Sequence, residues 1–334
     1  MVASFAFRLV SASGQQLPHY TQYILNNFIL NPAVAGIENY TDVKLSHRHQ
    51  WVGIDGAPVT TYFTIHGPLK KGDYQRETST GFKTSGENPR GKAYWQEYTK
   101  ADPHAGIGFT VLNDRTGPLN RFAAYGTFSY HLGISAQTSI SAGISAGIKN
   151  TTLNAGKLSF DVPLDPAVVG SGNLNSISPD ISAGIWMYSA DYFAGLSFQN
   201  VIPSRLKFSG DSVKLVGGRY VPHTFLSAGY RFLITDDISF LPSALLKYIT
   251  SAPVGFDVNA KVQYHDFIWL GGSYRYQDSY AVMAGLNISN TLNIGYSYDI
   301  TTSRLNTVSR GSHEIVVGFL LGNRYGDWCP RNLW

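Results

Sequence analysis

The chain has 334 residues and a formal net charge of +4, and only 14% of it is Asp, Glu, Lys or Arg, against about a quarter in soluble domains. Its Lys and Arg are scattered without a basic stripe, which gives nucleic-acid binding no support, and a single cysteine, Cys329, excludes an internal disulfide or a cysteine-based zinc site. No apolar run reaches the length of a membrane-spanning helix, whereas 34 glycines and 13% aromatic residues suit a closed wall of strands, which satisfies its own backbone.

Residues 1–14 read as the remnant of a secretory signal. Val2 to Val10 is a short apolar stretch, and Ala12-Ser13-Gly14 is a small-residue cleavage site before Gln15. Arg8 interrupts the stretch and no basic leader precedes it. The mature chain is expected to begin near Gln15. Residues 15–36 form a separate N-terminal segment, periplasmic or lumenal. Tyr20, Tyr23, Ile24, Phe28 and Ile29 recur at roughly helical spacing, and Asn31-Pro32 would end such a helix. This predicts a short helix seated in the lumen or at its mouth, like a plug.

From residue 37 to residue 321 the pattern is one of strands. They are predicted near Tyr40–Trp51, Thr60–Gly67, Ala105–Asn113, Phe122–His131, Thr138–Asn150, Asp180–Ser189 and Tyr192–Gln199. Seven more follow, near Thr224–Phe232, Ile238–Ile249, Gly255–Tyr264, Phe267–Tyr276, Tyr280–Ile288, Thr291–Asp299 and His313–Leu321. Fourteen is an even count, as bacterial single-chain barrels have. The connections Leu132–Gln137, Ala190-Asp191, Leu233–Asp237, His265-Asp266 and Ser289-Asn290 are short and fall in one phase. Thr151–Pro179, Asn200–His223 and Ile300–Ser312 are long and fall in the other. Short periplasmic turns and long outer loops give this phasing, with both termini periplasmic. One connection breaks it: Pro68–His104 is long and polar in the short phase. It reads as a disordered or extended insertion, as a periplasmic docking element, or as a missed pair of strands near Lys92–Lys100. Residues 322–334 form a C-terminal tail.

The expectation is therefore an all-β protein, a single transmembrane antiparallel β-barrel. Phe256 to Tyr264 carries the argument most clearly. Phe256, Val258, Ala260, Val262 and Tyr264 share one face, and Asp257, Asn259, Lys261 and Gln263 the other. Aromatics at both ends of the apolar face match interfacial girdles. The polar face then lines the lumen, and the same alternation assigns Arg231, Arg275 and Asp299 to it. Mixed charges there are expected to pair with one another or to line water.

Catalytic motifs are missing: there is no Gly-x-Ser-x-Gly elbow, phosphate loop or His-Glu-x-x-His. His47 and His49 share a strand face, but no carboxylate or cysteine at ligand spacing completes a metal site; they are assigned to the interface or the lumen. Asn113-Asp114-Arg115 is assigned to an outer turn. The reading is of a non-enzymatic protein without cofactor, with outer-membrane lipid around it. A channel or small-solute transport barrel is the alternative.

Several segments recur in a recognisable order and spacing. They are Gln22-Tyr23-Ile24-Leu25-Asn26-Asn27 leading to Asn31-Pro32-Ala33-Val34-Ala35-Gly36, then Arg48-His49-Gln50-Trp51-Val52-Gly53-Ile54-Asp55-Gly56-Ala57-Pro58. Gly106-Ile107-Gly108-Phe109, Asn113-Asp114-Arg115-Thr116-Gly117-Pro118, Ser178-Pro179-Asp180-Ile181-Ser182-Ala183-Gly184, Tyr296-Ser297-Tyr298-Asp299, Gly311-Ser312-His313-Glu314-Ile315 and Cys329-Pro330 follow. Together these segments resemble the PorP/SprF family of Bacteroidota outer-membrane proteins. The resemblance implies an outer-membrane component of the type IX secretion system or its gliding-motility branch. Its implied partners are secretion components and surface cargo bearing a type B C-terminal secretion domain. The Pro68–His104 insertion and the weak leader depart from the family's pattern.

Overall fold

The computed structural model describes residues 20–69, 100, 102–157, 173–209, 214–235, 237–250, 252–265, 267–289 and 291–322. The stretch read as a leader remnant, the interior of the 68–104 insertion and the tail with Cys329 lie outside the described residues.

In chain order the strands are β1 (Thr41–His49), β2 (Val59–Pro68), β3 (His104–Thr116), β4 (Leu119–Gly133), β5 (Ser139–Asn154), β6 (Asn173–Tyr188), β7 (Tyr192–Gln199), β8 (Arg205–Ser209) and β9 (Lys214–Arg219). They continue with β10 (His223–Tyr230), β11 (Phe232–Leu233), β12 (Ile238–Ile249), β13 (Gly255–Tyr264), β14 (Ile268–Arg275), β15 (Ser279–Ser289), β16 (Leu292–Thr301) and β17 (Ser312–Leu321). Fourteen positions form a closed antiparallel wall. β11 prolongs β10 past Arg231, since both pair with β12, and the β8–β9 hairpin stands outside the ring. Closure is made by β1 against β17, from Thr41 opposite Leu321 to His49 opposite His313. A closed ring leaves no edge to template aggregation.

The burial alternation is inverted relative to a soluble sheet. Along β13 Asp257, Asn259, Lys261 and Gln263 are buried while Phe256, Val258, Val262 and Tyr264 are exposed. Ile144, Ile185, Leu270 and Val282 are exposed on neighbouring strands in the same way. Exposing these side chains to water would forfeit about 1.5–3 kcal/mol each; against lipid they stabilise the wall.

Two stretches of strand were hidden in predicted loops. β5 continues to Asn154 and β6 begins at Asn173, so part of Thr151–Pro179 is wall. Their Asn residues have weak strand preference and their Ser and Asn side chains favour turns, yet inward Leu174 packs with Tyr220, Leu119 and Leu153. At about 3.3 Å per residue, the 16-residue β5 and β6 outreach the 10-residue β13 and β17. β8 and β9 likewise lie inside the predicted loop Asn200–His223. Asn113-Asp114-Arg115 is also strand rather than turn: β3 runs to Thr116 and the chain reverses at Gly117, whose φ is +55°. Asp114 is buried and accepts from Thr60 Oγ1 at 2.8 Å.

The expected N-terminal helix is replaced by three short 3-10 turns, Gln22–Leu25, Asn27–Ile29 and Pro32–Val34. Every residue from Thr21 to Tyr40 except Ile29 is buried. A segment enclosed on all sides presents no single apolar stripe, and its backbone groups must find partners on the surrounding wall.

Candidate functional site

The barrel interior is occupied by residues 20–40 of the same chain, and the wall's inward side chains are spaced to hold them. Two apolar patches receive the segment. Phe28, Ala33, Val34, Ala35 and Ile37 pack against Trp186, Tyr188, Phe193 and Leu241. Tyr23, Ile24, Leu25 and Leu30 pack against Phe225, Leu245, Trp269 and Met283.

Between these patches the segment lies directly on the wall's backbone. A Cβ on Gly106 would stand 2.1 Å from the Ala35 carbonyl oxygen, and one on Gly184 2.1 Å from Asn31 Oδ1. Only glycine allows this approach. Hydrogen bonds follow the same path. Ser129 Oγ and His131 Nε2 reach the Ala35 carbonyl at 2.5 and 2.7 Å, and Ser141 Oγ donates to the Ala33 carbonyl at 2.7 Å. Ser197 Oγ and Gln199 Nε2 donate to Leu30 at 2.7 and 3.0 Å. Asn31 caps Ala33 N–H through Oδ1 at 3.0 Å while its Nδ2 donates to the wall carbonyls of Ile185 and Leu196.

The far end of the segment is held by charge. Thr21 Oγ1 donates to Asp299 at 2.5 Å and accepts from Arg48 Nη1 at 2.7 Å. Its backbone N–H donates to Glu314 at 2.8 Å. Arg48 bridges both acids, at 2.6 Å to Asp299 and 3.1 Å to Glu314. Arg275 contacts Asp257 at 3.5 Å and Asp278 at 2.9 Å, and reaches Thr21 at 3.4 Å. Pairing and hydrogen bonds of this kind are what make buried charges tolerable. Lower in the lumen Asn259 donates to the Tyr23 hydroxyl at 2.5 Å.

All seven residues expected in the lumen are buried. Asp257, Arg275 and Asp299 gather around Thr21, Asn259 holds Tyr23, and the Lys261 amine lies 5.9 Å from the Trp269 ring. Arg231 and Gln263 stand apart from that cluster, buried near the opposite end of their strands. Sequence reasoning missed Arg48 and Glu314 at the centre of the network. Strict alternation along Tyr40–Trp51 places Arg48 opposite to His47 and His49, and both histidines are exposed. His47 bonds Thr61 on the outer face at 2.9 Å. The buried imidazoles are instead His66, His104, His131 and His223. Among the described residues no group of three His, Cys, Asp or Glu is placed to hold a metal ion.

Thr21 and Leu321 stand at opposite ends of the wall. Leu321 pairs with Thr41 at the start of β1, whereas Thr21 is bound by Arg48, near its end. The described part of the segment therefore traverses the lumen from Thr21 to Thr41. Two cavities of about 290 and 310 Å³ flank Arg275 and Asp278 near Thr21. The first is lined by Tyr20, Tyr23, Phe225 and Lys247, the second by Arg48, Asp114, Arg121 and Asp299.

Among solved structures, the chain is similar to the Acinetobacter baumannii outer membrane protein Omp33 at 8% identity, covering 86% of this chain and 100% of that one, with a TM-score of 0.45. It is similar to a Pseudomonas aeruginosa FadL homologue at 10% identity, with 90% and 93% covered and a TM-score of 0.44. The KdgM porin is similar at 11% identity, with 83% and 98% covered and a TM-score of 0.35. No curated protein matches the chain. Residues 12–319 match the family described as type IX secretion system membrane protein PorP/SprF, and the chain belongs to that family.

Proposed function

We propose that this protein is a non-enzymatic outer-membrane component of type IX secretion that acts as a scaffold rather than a conduit. It supports export or surface anchoring of cargo with a type B C-terminal secretion domain. Family membership supports the secretion role. The observation that carries the scaffold reading is the occupied lumen, with residues 21–40 bonded to the wall along its length. A conduit needs a wet path, and here the inward polar groups are engaged by the chain itself. Its lipid-facing apolar band supports residence in the outer membrane. With Leu321 at the periplasmic end, the Arg48–Thr21 end faces the cell surface.

The test is a deletion strain complemented with wild-type protein. Loss of surface cargo in the deletion, restored by complementation, is the expected result; normal surface cargo without the protein would refute the secretion role. The alternative, a small-solute channel, draws on the two cavities beside Arg275. It predicts solute uptake by liposomes containing the purified protein.

A further inference from the structure

Where the lumen segment leaves the wall, three imidazoles from three adjacent strands converge on Ala35-Gly36. His66 Nδ1, on β2, accepts the Gly36 N–H at 3.2 Å, so that nitrogen carries no proton. His131 Nε2, on β4, faces the Ala35 carbonyl at 2.7 Å and therefore donates, leaving Nδ1 to accept from the Tyr188 hydroxyl at 3.0 Å. His104, at the start of β3, faces two carbonyls, Asp102 at 2.7 Å and Gly36 at 3.1 Å. The His104 and His131 rings are stacked, 4.5 Å apart and 4° from parallel.

The peptide they grip has no slack. Gly36 has a φ of +75°, and a Cβ there would lie 2.5 Å from Gly106 Cα. A second acceptor stands beside His66. Asp42 on β1 is its register partner, and directly opposed side chains share a face about 5 Å apart. Asp42 Oδ2 binds Lys44 at 2.6 Å, but the buried Oδ1 has no hydrogen-bond partner. The remaining ring neighbour of His66 is uncharged Phe28, at 4.6 Å. Among the described residues the charged and titratable groups around His66 are Lys44 and Asp42 on β1 and the imidazoles of His104 and His131; Lys44 opposes an added proton and Asp42 favours it.

We propose that His66 is a proton-operated latch on the lumen segment: neutral, it holds the Gly36 N–H; protonated, it turns to the open oxygen of Asp42 and releases the Ala35-Gly36 peptide. Protonation removes the lone pair that Gly36 uses and adds charge beside the stacked pair, so both effects loosen the segment. Buried His groups that swap partners on protonation are a general means of biasing a two-state element.

Amide hydrogen exchange on the full chain in detergent micelles tests the latch without reference to cargo, so its failure and that of the secretion role are separable. Rates are compared at about pH 7.5 and about pH 5 after correction for intrinsic chemistry. Protection of residues 33–37 is expected to fall about tenfold at the lower pH while β13 and β14 keep theirs. His66→Gln, whose side-chain oxygen accepts at both pH values, is expected to lose this response. Asp42→Asn is expected to reduce it. Equal protection of the wild type at both pH values overturns the proposal, as does a full response in His66→Gln. If His66→Gln does not fold, an undiminished response in Asp42→Asn overturns it instead.

Discussion

Arg48 and Glu314 sit directly opposite one another in the pairing of the first strand with the last, with Nη1 3.1 Å from the carboxylate. The same carboxylate accepts the Thr21 N–H at 2.8 Å. One ion pair thus closes the ring and fastens the segment inside it. Arg48→Met leaves Glu314 and Asp299 buried against each other without their shared cation. That is expected to cost about 3–5 kcal/mol, read by equilibrium denaturation in detergent. Arg48→Lys should retain part of this, because an ammonium cannot span two carboxylates as a planar fork does.

Gly106 and Gly126 form a matched pair of tests. A Cβ at position 106 meets the Ala35 carbonyl at 2.1 Å, whereas one at position 126 meets nothing within 4 Å. Gly106→Ala should cost about 1–3 kcal/mol and raise amide exchange at residues 33–37. Gly126→Ala should stay within about 0.5 kcal/mol of wild type.

Val282 is 64% exposed on β15, the fourth of its eleven residues. On a lipid-facing surface Val282→Arg is expected to cost about 1–3 kcal/mol in vesicles. On a water-facing surface the same change would cost about 0.5 kcal/mol or less. Unfolding equilibria in lipid vesicles distinguish the two.

Much of the wall was legible because a strand has period two and the bilayer inverts its faces: Asp257, Asn259, Lys261 and Gln263 were separable from Phe256, Val258 and Val262 by counting alone. The lumen segment was not, since a chain enclosed on all sides has no stripe to read, and Tyr23, Ile24 and Phe28 instead suggested a helix. The inward aromatics Trp186, Phe193 and Trp269 are buried on the lumen side of the wall, where an open polar lumen would not place them; they exist to receive the segment. Arg48 and Glu314 lie 266 residues apart, so only closure brings them together. β5 and β6 outran their prediction because Ser and Asn signal turns until an inward Leu174 finds Tyr220.

Asn31 joins the segment to two wall strands at once, through Ile185 and Leu196, while capping Ala33. Asn31→Ala should cost about 1–3 kcal/mol and accelerate exchange of residues 30–35 with little effect on β13 or β14. Uniform acceleration along the barrel would place Asn31 among residues that serve global stability.

The most direct test of the occupied lumen is conductance in planar bilayers of the wild type beside a variant lacking residues 21–35. The wild type is expected to be silent at both polarities and the truncated barrel to show discrete ohmic steps. Steady steps from the wild type, or a truncation that leaves the current unchanged, would contradict a lumen closed by the chain's own N-terminal segment.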